Sequence, residues 1–138
     1  ADADEFQGIN TRQDLSLAEH LLQQRWRKQL MDQGVTLYQS ETVFLSHDTK
    51  IGQDCCIGPF VTFGPQVELA DEVKVLPFCH LEYTQVEARV MIGPFAHLRG
   101  NTLLQTGSSI GNFVEVKGST LGPNVKAKHL SYLGDATV

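Results

Sequence analysis

Arg99 and Lys117 stand 18 residues apart, and His97 and Glu115 keep the same separation two positions earlier. Wherever a fold brings residues at that interval side by side, two cations repel unless an anion sits between them. Phosphate suits such a pair, because guanidinium and ammonium groups both donate to its oxygens. The alternative is two solvated surface charges that splay apart. His80, His97, Glu115 and Tyr132 form a neighbouring set, and His129 lies three residues before Tyr132. An imidazole can take a proton from an amine or hydroxyl nucleophile near neutral pH. Taken alone, any one histidine reads as a surface or structural residue. Together, these groups describe a site that holds an anionic substrate and moves a proton.

The elements that position them follow from a repeat. Apolar anchors fall at 51, 57, 63, 69, 75, 81, 86, 92, 98, 104, 110, 116, 121, 127 and 133. The step is six residues except at Leu81 to Val86 and Val116 to Leu121, where it is five. Every anchor is Ile, Leu or Val apart from Phe63 and Ala127. The fourth residue after each anchor is small or β-branched except at Gln85, as a crowded inward corner demands. Such a period is the mark of a hexapeptide-repeat parallel β-helix, three hexads to a triangular coil. Residues one coil apart then stack at about 4.7–4.9 Å. Arg99 and Lys117 share one column, and His80, His97, Glu115 and Tyr132 share the next. A β-sandwich would need this register to arise by chance.

Ahead of the repeats, Leu15, Ala18, Leu22, Trp26 and Leu30 recur at helical steps, which predicts a connector helix over 14–34. Thr11 or Asp14 can cap its start and Gly34 its end, and Arg25, Arg27 and Lys28 fall in its last turns. The chain therefore divides into a polar stretch over 1–13, the helix over 14–34 and the β-helix over 35–138.

Composition sets the outer bounds. The chain has 138 residues, 41% hydrophobic and 20% charged, with net charge -5. That is one domain with a real core, neither disordered nor fibrous. The acidic balance argues against a nucleic-acid partner. No apolar run is long enough for a membrane helix, so no membrane partner is expected. Three cysteines, two of them adjacent, make a poor disulfide framework and point to a reducing, cytoplasmic setting. Cys55 and Cys79 read as core packing; no Cys-x-x-Cys or paired-histidine spacing supports a zinc site. Phosphate loops, dinucleotide fingerprints and nucleophile elbows are absent. The missing initial Met and a final coil that stops uncapped at Val138 lead us to expect a fragment of a longer protein.

Three strings resemble one family closely: Gly93-Pro94-Phe95-Ala96-His97-Leu98-Arg99, Gly111-Asn112-Phe113-Val114-Glu115-Val116-Lys117 and His129-Leu130-Ser131-Tyr132-Leu133-Gly134-Asp135-Ala136. The family is the bifunctional N-acetylglucosamine-1-phosphate uridyltransferase/glucosamine-1-phosphate acetyltransferase of UDP-N-acetylglucosamine synthesis. Gly8-Ile9-Asn10-Thr11-Arg12 is similar to the string that ends its first domain. The resemblance implies a left-handed β-helix, a homotrimer, and acetyl transfer from acetyl-CoA to glucosamine-1-phosphate at clefts between subunits. Under it, Arg99 and Lys117 hold the sugar phosphate, His129 is the catalytic base, Tyr132 touches the sugar phosphate and Glu115 lies near the amine or base. Asn10 matches a Mg2+ and nucleotide ligand of the UTP-dependent uridyltransferase site, here a relic of a stub over 1–13. The family usually has proline where this chain has Gly100, which should loosen the turn that presents Arg99. The family's next string, which supplies acetyl-CoA contacts, lies beyond Val138, so the chain alone is expected to be inactive. The alternatives are an acyltransferase or nucleotidylyltransferase for another sugar phosphate, and a β-helix that serves only to trimerise an attached domain.

Overall fold

In the computed structural model, residues 8–138 are described; the first seven residues of the expected stub lie outside them. The repeat forms a parallel β-helix with three flat sides. The first sheet stacks Thr36–Leu37, Cys56–Ile57, Lys74–Val75, Met91–Ile92, Ser109–Ile110 and Lys126–Ala127. The second stacks Thr62–Phe63, His80–Leu81, Ala96–Arg99, Val114–Lys117 and Ser131–Gly134. The third stacks Lys50–Ile51, Val67–Leu69, Thr84–Val86, Thr102–Leu104 and Thr120–Leu121. Every pairing is parallel, each strand bonding the strand one coil away. Such ladders satisfy the backbone and leave the interior to side chains.

The anchors fill that interior. Ile57, Leu81, Ile92, Leu98, Leu104, Val116 and Leu121 have no exposed surface. Full burial of each such side chain is worth about 1.5–3 kcal/mol. The inward partner of each anchor lies two residues before it, not four after the previous one, and the two shortened hexads expose the difference. There the inward positions fall to Thr84 and Ser119, 1% exposed, while Gln85 and Thr120 face outward. Their hydroxyls stay bonded inside: Thr84 Oγ1 donates to the Glu82 carbonyl at 2.8 Å and Ser119 Oγ to the Lys117 carbonyl at 3.0 Å.

Helix α1 spans Arg12–Asp32, beginning two residues earlier than the sequence predicts. Thr11 caps it, its hydroxyl accepting from the Asp14 amide at 3.1 Å. The expected apolar stripe is only partly the buried one. Leu15 is 58% exposed, whereas Gln23 and Arg27 are buried with Ala18 and Leu30. The physical reason is what the helix covers, the unpaired backbone edge of the first coil. Gln23 Nε2 donates to the Leu45 carbonyl at 2.8 Å while its Oε1 accepts from the Leu45 amide at 2.9 Å. Arg27 Nε donates to the Val43 carbonyl at 2.9 Å and Nη2 to the Glu41 carbonyl at 3.2 Å. The helix thus caps the solenoid with side-chain hydrogen bonds, as an open edge requires. Arg27 serves the edge, and no basic residue occupies the last turn that Arg25, Arg27 and Lys28 were expected to complement. Among the described residues, no helix is long and apolar enough to cross a membrane.

Candidate functional site

The second sheet differs from the others in strand length. Ala96–Arg99, Val114–Lys117 and Ser131–Gly134 each run four residues, so two outward columns stand side by side. In the strand register, Arg99 is opposite Lys117 and His97 is opposite both His80 and Glu115. Tyr132 continues that column beyond Glu115, and Gly134 lies beyond Lys117. The columns expected from the repeat are therefore present.

Their cations carry internal partners. Arg99 Nε donates to Glu115 Oε2 at 2.8 Å, and Lys117 Nζ lies 3.8 Å from Asp135 Oδ2. The hydrogen bond from Arg99 holds the Glu115 carboxyl below the usual carboxylate range, and the same bond raises Arg99 further. An incoming phosphate would therefore exchange with carboxylates already in place, and repulsion between bare cations is relieved without it. The turn behind Arg99 is well held. Gly100 and Asn101 both have positive φ, 71° and 66°. The Arg99 carbonyl accepts from Thr102 Oγ1 at 2.8 Å and from the Gly118 amide at 3.0 Å. Glycine at 100 supplies a left-handed turn that proline, fixed near −65°, cannot make.

Beside these columns lies an open groove of about 1230 Å³, lined by His80, Glu82, His97, Glu115 and Tyr132. Its far wall is an aromatic ladder. Phe60, Phe78, Phe95 and Phe113 stack at centroid spacings of 5.2, 5.1 and 5.1 Å, and each is about half exposed. Each rung has positive φ, from 54° to 62°, at the same turn of successive coils, with Leu130 as the last rung. The sequence reading missed this ladder. Its signal was present: each rung is the third residue after an anchor of the first sheet, one per coil.

The residues singled out from sequence are only partly brought together. Glu115 and Tyr132 line the groove, and Arg99 and Lys117 form its adjoining column. His129 is exposed in the turn before Ser131–Gly134 and is not part of the groove wall; its carbonyl accepts from Ser131 Oγ at 3.2 Å. Asn10 is exposed ahead of α1, its amide donating to the Gly8 carbonyl at 3.1 Å and its backbone N–H to Asp14 Oδ2 at 3.1 Å. Mg2+ demands several oxygen ligands in octahedral array. Among the described residues, the one cluster of three His, Cys, Asp or Glu side chains close enough to share an ion does not include the neighbours of Asn10. All three cysteines are free; Cys55 and Cys79 are buried, and burial pushes both thiols up, that of Cys79 to about 11.

No family model matches the chain. Curated relatives do. It is 48% identical over 135 residues, 98% of the chain, to Bifunctional protein GlmU of Wolbachia pipientis wMel. It is 44% identical over its whole length to that of Anaplasma marginale strain Florida, and 48% to that of Azorhizobium caulinodans. The chain covers only 31–32% of those proteins, about a third of their length. Among solved structures, it is similar to the acetyltransferase domain of PglB from Neisseria gonorrhoeae, at TM-score 0.50 and 12% identity over 75% of the chain and 62% of that domain. A putative acetyltransferase from Bacillus cereus gives TM-score 0.50 and 16% identity over 74% of the chain and 75% of its own. At such identities, these structures speak for the fold alone.

Proposed function

We propose, for a chain that corresponds to the C-terminal region of the proteins named Bifunctional protein GlmU, that its second sheet carries acetyl transfer from acetyl-CoA to the amine of glucosamine-1-phosphate. The observation that carries this reading is the in-register stacking of Arg99 on Lys117, beside a groove lined by Glu115 and Tyr132. Two cations at one strand spacing can hold the three oxygens of a sugar phosphate. Tyr132 reaches over the same end: a side chain at Gly134 would meet its ring, and the glycine there leaves room for it. Glu115 anchors Arg99 and offers a carboxylate toward an amine.

In this reading, His129 takes the proton from the attacking amine as the carbon–nitrogen bond forms. The carbon–sulfur bond then breaks, and the departing thiolate is protonated. Within one chain, His129 does not line the wall formed by Tyr132 and Glu115. That favours a homotrimer in which one copy's base faces another copy's phosphate column. The reading also takes the protein to be cytoplasmic, assigns the uridyltransferase reaction, with UTP and Mg2+, to the part of the family outside this chain, and holds the chain alone inactive.

The test is acetyl-CoA-dependent acetylation of glucosamine-1-phosphate, followed by thiol release, in the protein at its natural full length. His129→Ala should lower kcat by about 10²–10⁴ while the fold persists. Unchanged turnover would make the β-helix a scaffold or move the base elsewhere.

A further inference from the structure

On the wall of the same groove, His80, Glu82 and His97 bring one ligand atom each within 4.8 Å of one another. We infer that these three side chains form a binding site for a divalent transition-metal ion of the Zn2+ type. The inference does not depend on the acetyl-transfer reading.

The backbone creates the cluster. His80 and His97 are direct register partners on adjacent strands, and Glu82 follows His80 on the same outward face. The imidazole rings meet edge to face at 5.3 Å between centroids. Two imidazoles and one carboxylate are a zinc donor set, and a fourth position left open toward solvent is the pattern of an exchangeable site. Bonds of about 2.0–2.1 Å place tetrahedral ligands roughly 3.3 Å apart. All three side chains are at least partly exposed, so small side-chain rotations close that gap without moving the ladder.

A second observation points the same way. His97 has a carboxylate on each side. Its Nε2 lies 3.6 Å from Glu82 Oε1, and its Nδ1 lies 3.8 Å from Glu115 Oε2. With the ion on Nε2 beside Glu82, the Nδ1–H faces Glu115, which Arg99 holds in place. A carboxylate on the far nitrogen of a ligating histidine fixes its tautomer and strengthens it as a donor. The nearest cations are themselves paired, Arg99 with Glu115 and Lys117 with Asp135, which limits their repulsion of an ion. Imidazole donors select Zn2+, Cu2+, Ni2+ or Co2+ over Mg2+, so this site is distinct in chemistry from any nucleotide-linked magnesium. Local spacing rules miss it because the histidines are 17 residues apart, one shortened coil.

The test is calorimetric titration of the metal-free full chain with Zn2+, together with the visible absorption of the Co2+ form. One ion per chain is expected, with a Co2+ spectrum of low coordination number. His80→Ala and His97→Ala should abolish that spectrum. Glu115→Gln should keep the stoichiometry and weaken affinity about 10–100-fold. His80→Gln, of similar size and polarity, is measured beside His80→Ala so that a folding defect cannot pass for lost binding. Absence of stoichiometric binding in the wild-type chain would overturn the inference, as would binding that both His80 variants leave unchanged.

Discussion

Position by position, the first and second sheets obey the same inward rule and differ in how far their strands run past the anchor. Ser108 and Ile110 fill the interior from the first sheet as Ala96 and Leu98 do from the second. One residue after the anchor, the sheets part. In the first sheet this position holds Gly58, Gly93 and Gly111, with Tyr38, Leu76 and Lys128 on the other coils, and each strand ends at its anchor. A Cβ at Gly111 would come within 2.5 Å of the Lys128 carbonyl oxygen, and one at Gly93 would collide with Cys79 Sγ. In the second sheet it holds Glu82, Arg99 and Lys117 on the middle coils and Gly64 and Gly134 at the ends, and the strand runs on to include Arg99, Lys117 and Gly134. The packing code is thus redundant across the molecule. What differs is where a corner leaves room for a second outward column, and that room is where charged chemistry collects.

The largest effect that separates the two sheets should be on stability. Gly111→Ala forces a methyl group against backbone and should cost about 1–3 kcal/mol in denaturant unfolding. Arg99→Ala, at the matching position of the second sheet, loses only a partly exposed ion pair and should cost clearly less than Gly111→Ala. Equal costs would erase the distinction between a closed corner and an open one.

Next in size is the pH behaviour of the second column. The Arg99 hydrogen bond, aided by the charges of Arg99 and His97, depresses the Glu115 carboxyl. The ion pair is therefore fully present above the ordinary glutamate value of about 4.3 and is lost as pH falls through the lower folded value. A carbon-detected NMR titration should place Glu115 below ordinary glutamates. Arg99→Met should return it toward them, and a midpoint unmoved by that substitution would assign the depression to another cause.

The smallest effect concerns the first sheet's interior. Ser108 is 1% exposed, and its hydroxyl has no hydrogen-bond partner among the described residues. Ser108→Ala removes an unsatisfied group at a site that packs like alanine, so thermal unfolding should shift by the equivalent of less than about 1 kcal/mol, toward stability. A marked loss would reveal an unseen partner.

Much of this could be read from the sequence because the inward code is local and repeated. The anchors, the coil of three hexads and the Arg99–Lys117 and His97–Glu115 columns all follow from counting. Counting failed where the period did: at Gln85 and Thr120, the five-residue hexads moved the inward role one residue earlier, to Thr84 and Ser119. It failed again where the partner of an element was not another apolar surface. Helix α1 covers backbone donors and acceptors, so Gln23 and Arg27 are buried while Leu15 is left exposed. The Phe60–Phe113 ladder is an outward feature, one rung per coil, and invisible to short-range motifs, whereas the His80–His97 pair was already placed in one column by counting. Nor does spacing place His129 relative to the groove, since that depends on the path of a turn.

The most direct test of the central claim, that chemistry resides on the second sheet and not the first, is paired kinetics in the protein at its natural full length. Arg99→Met is compared with Lys74→Met, an exposed lysine on the outward face of the first sheet. Acetylation of glucosamine-1-phosphate should show KM for the sugar phosphate raised about 10–100-fold by Arg99→Met, the loss of a charge-assisted contact. Lys74→Met should leave it unchanged. Equal effects of the two substitutions, or none from Arg99→Met, would contradict the account.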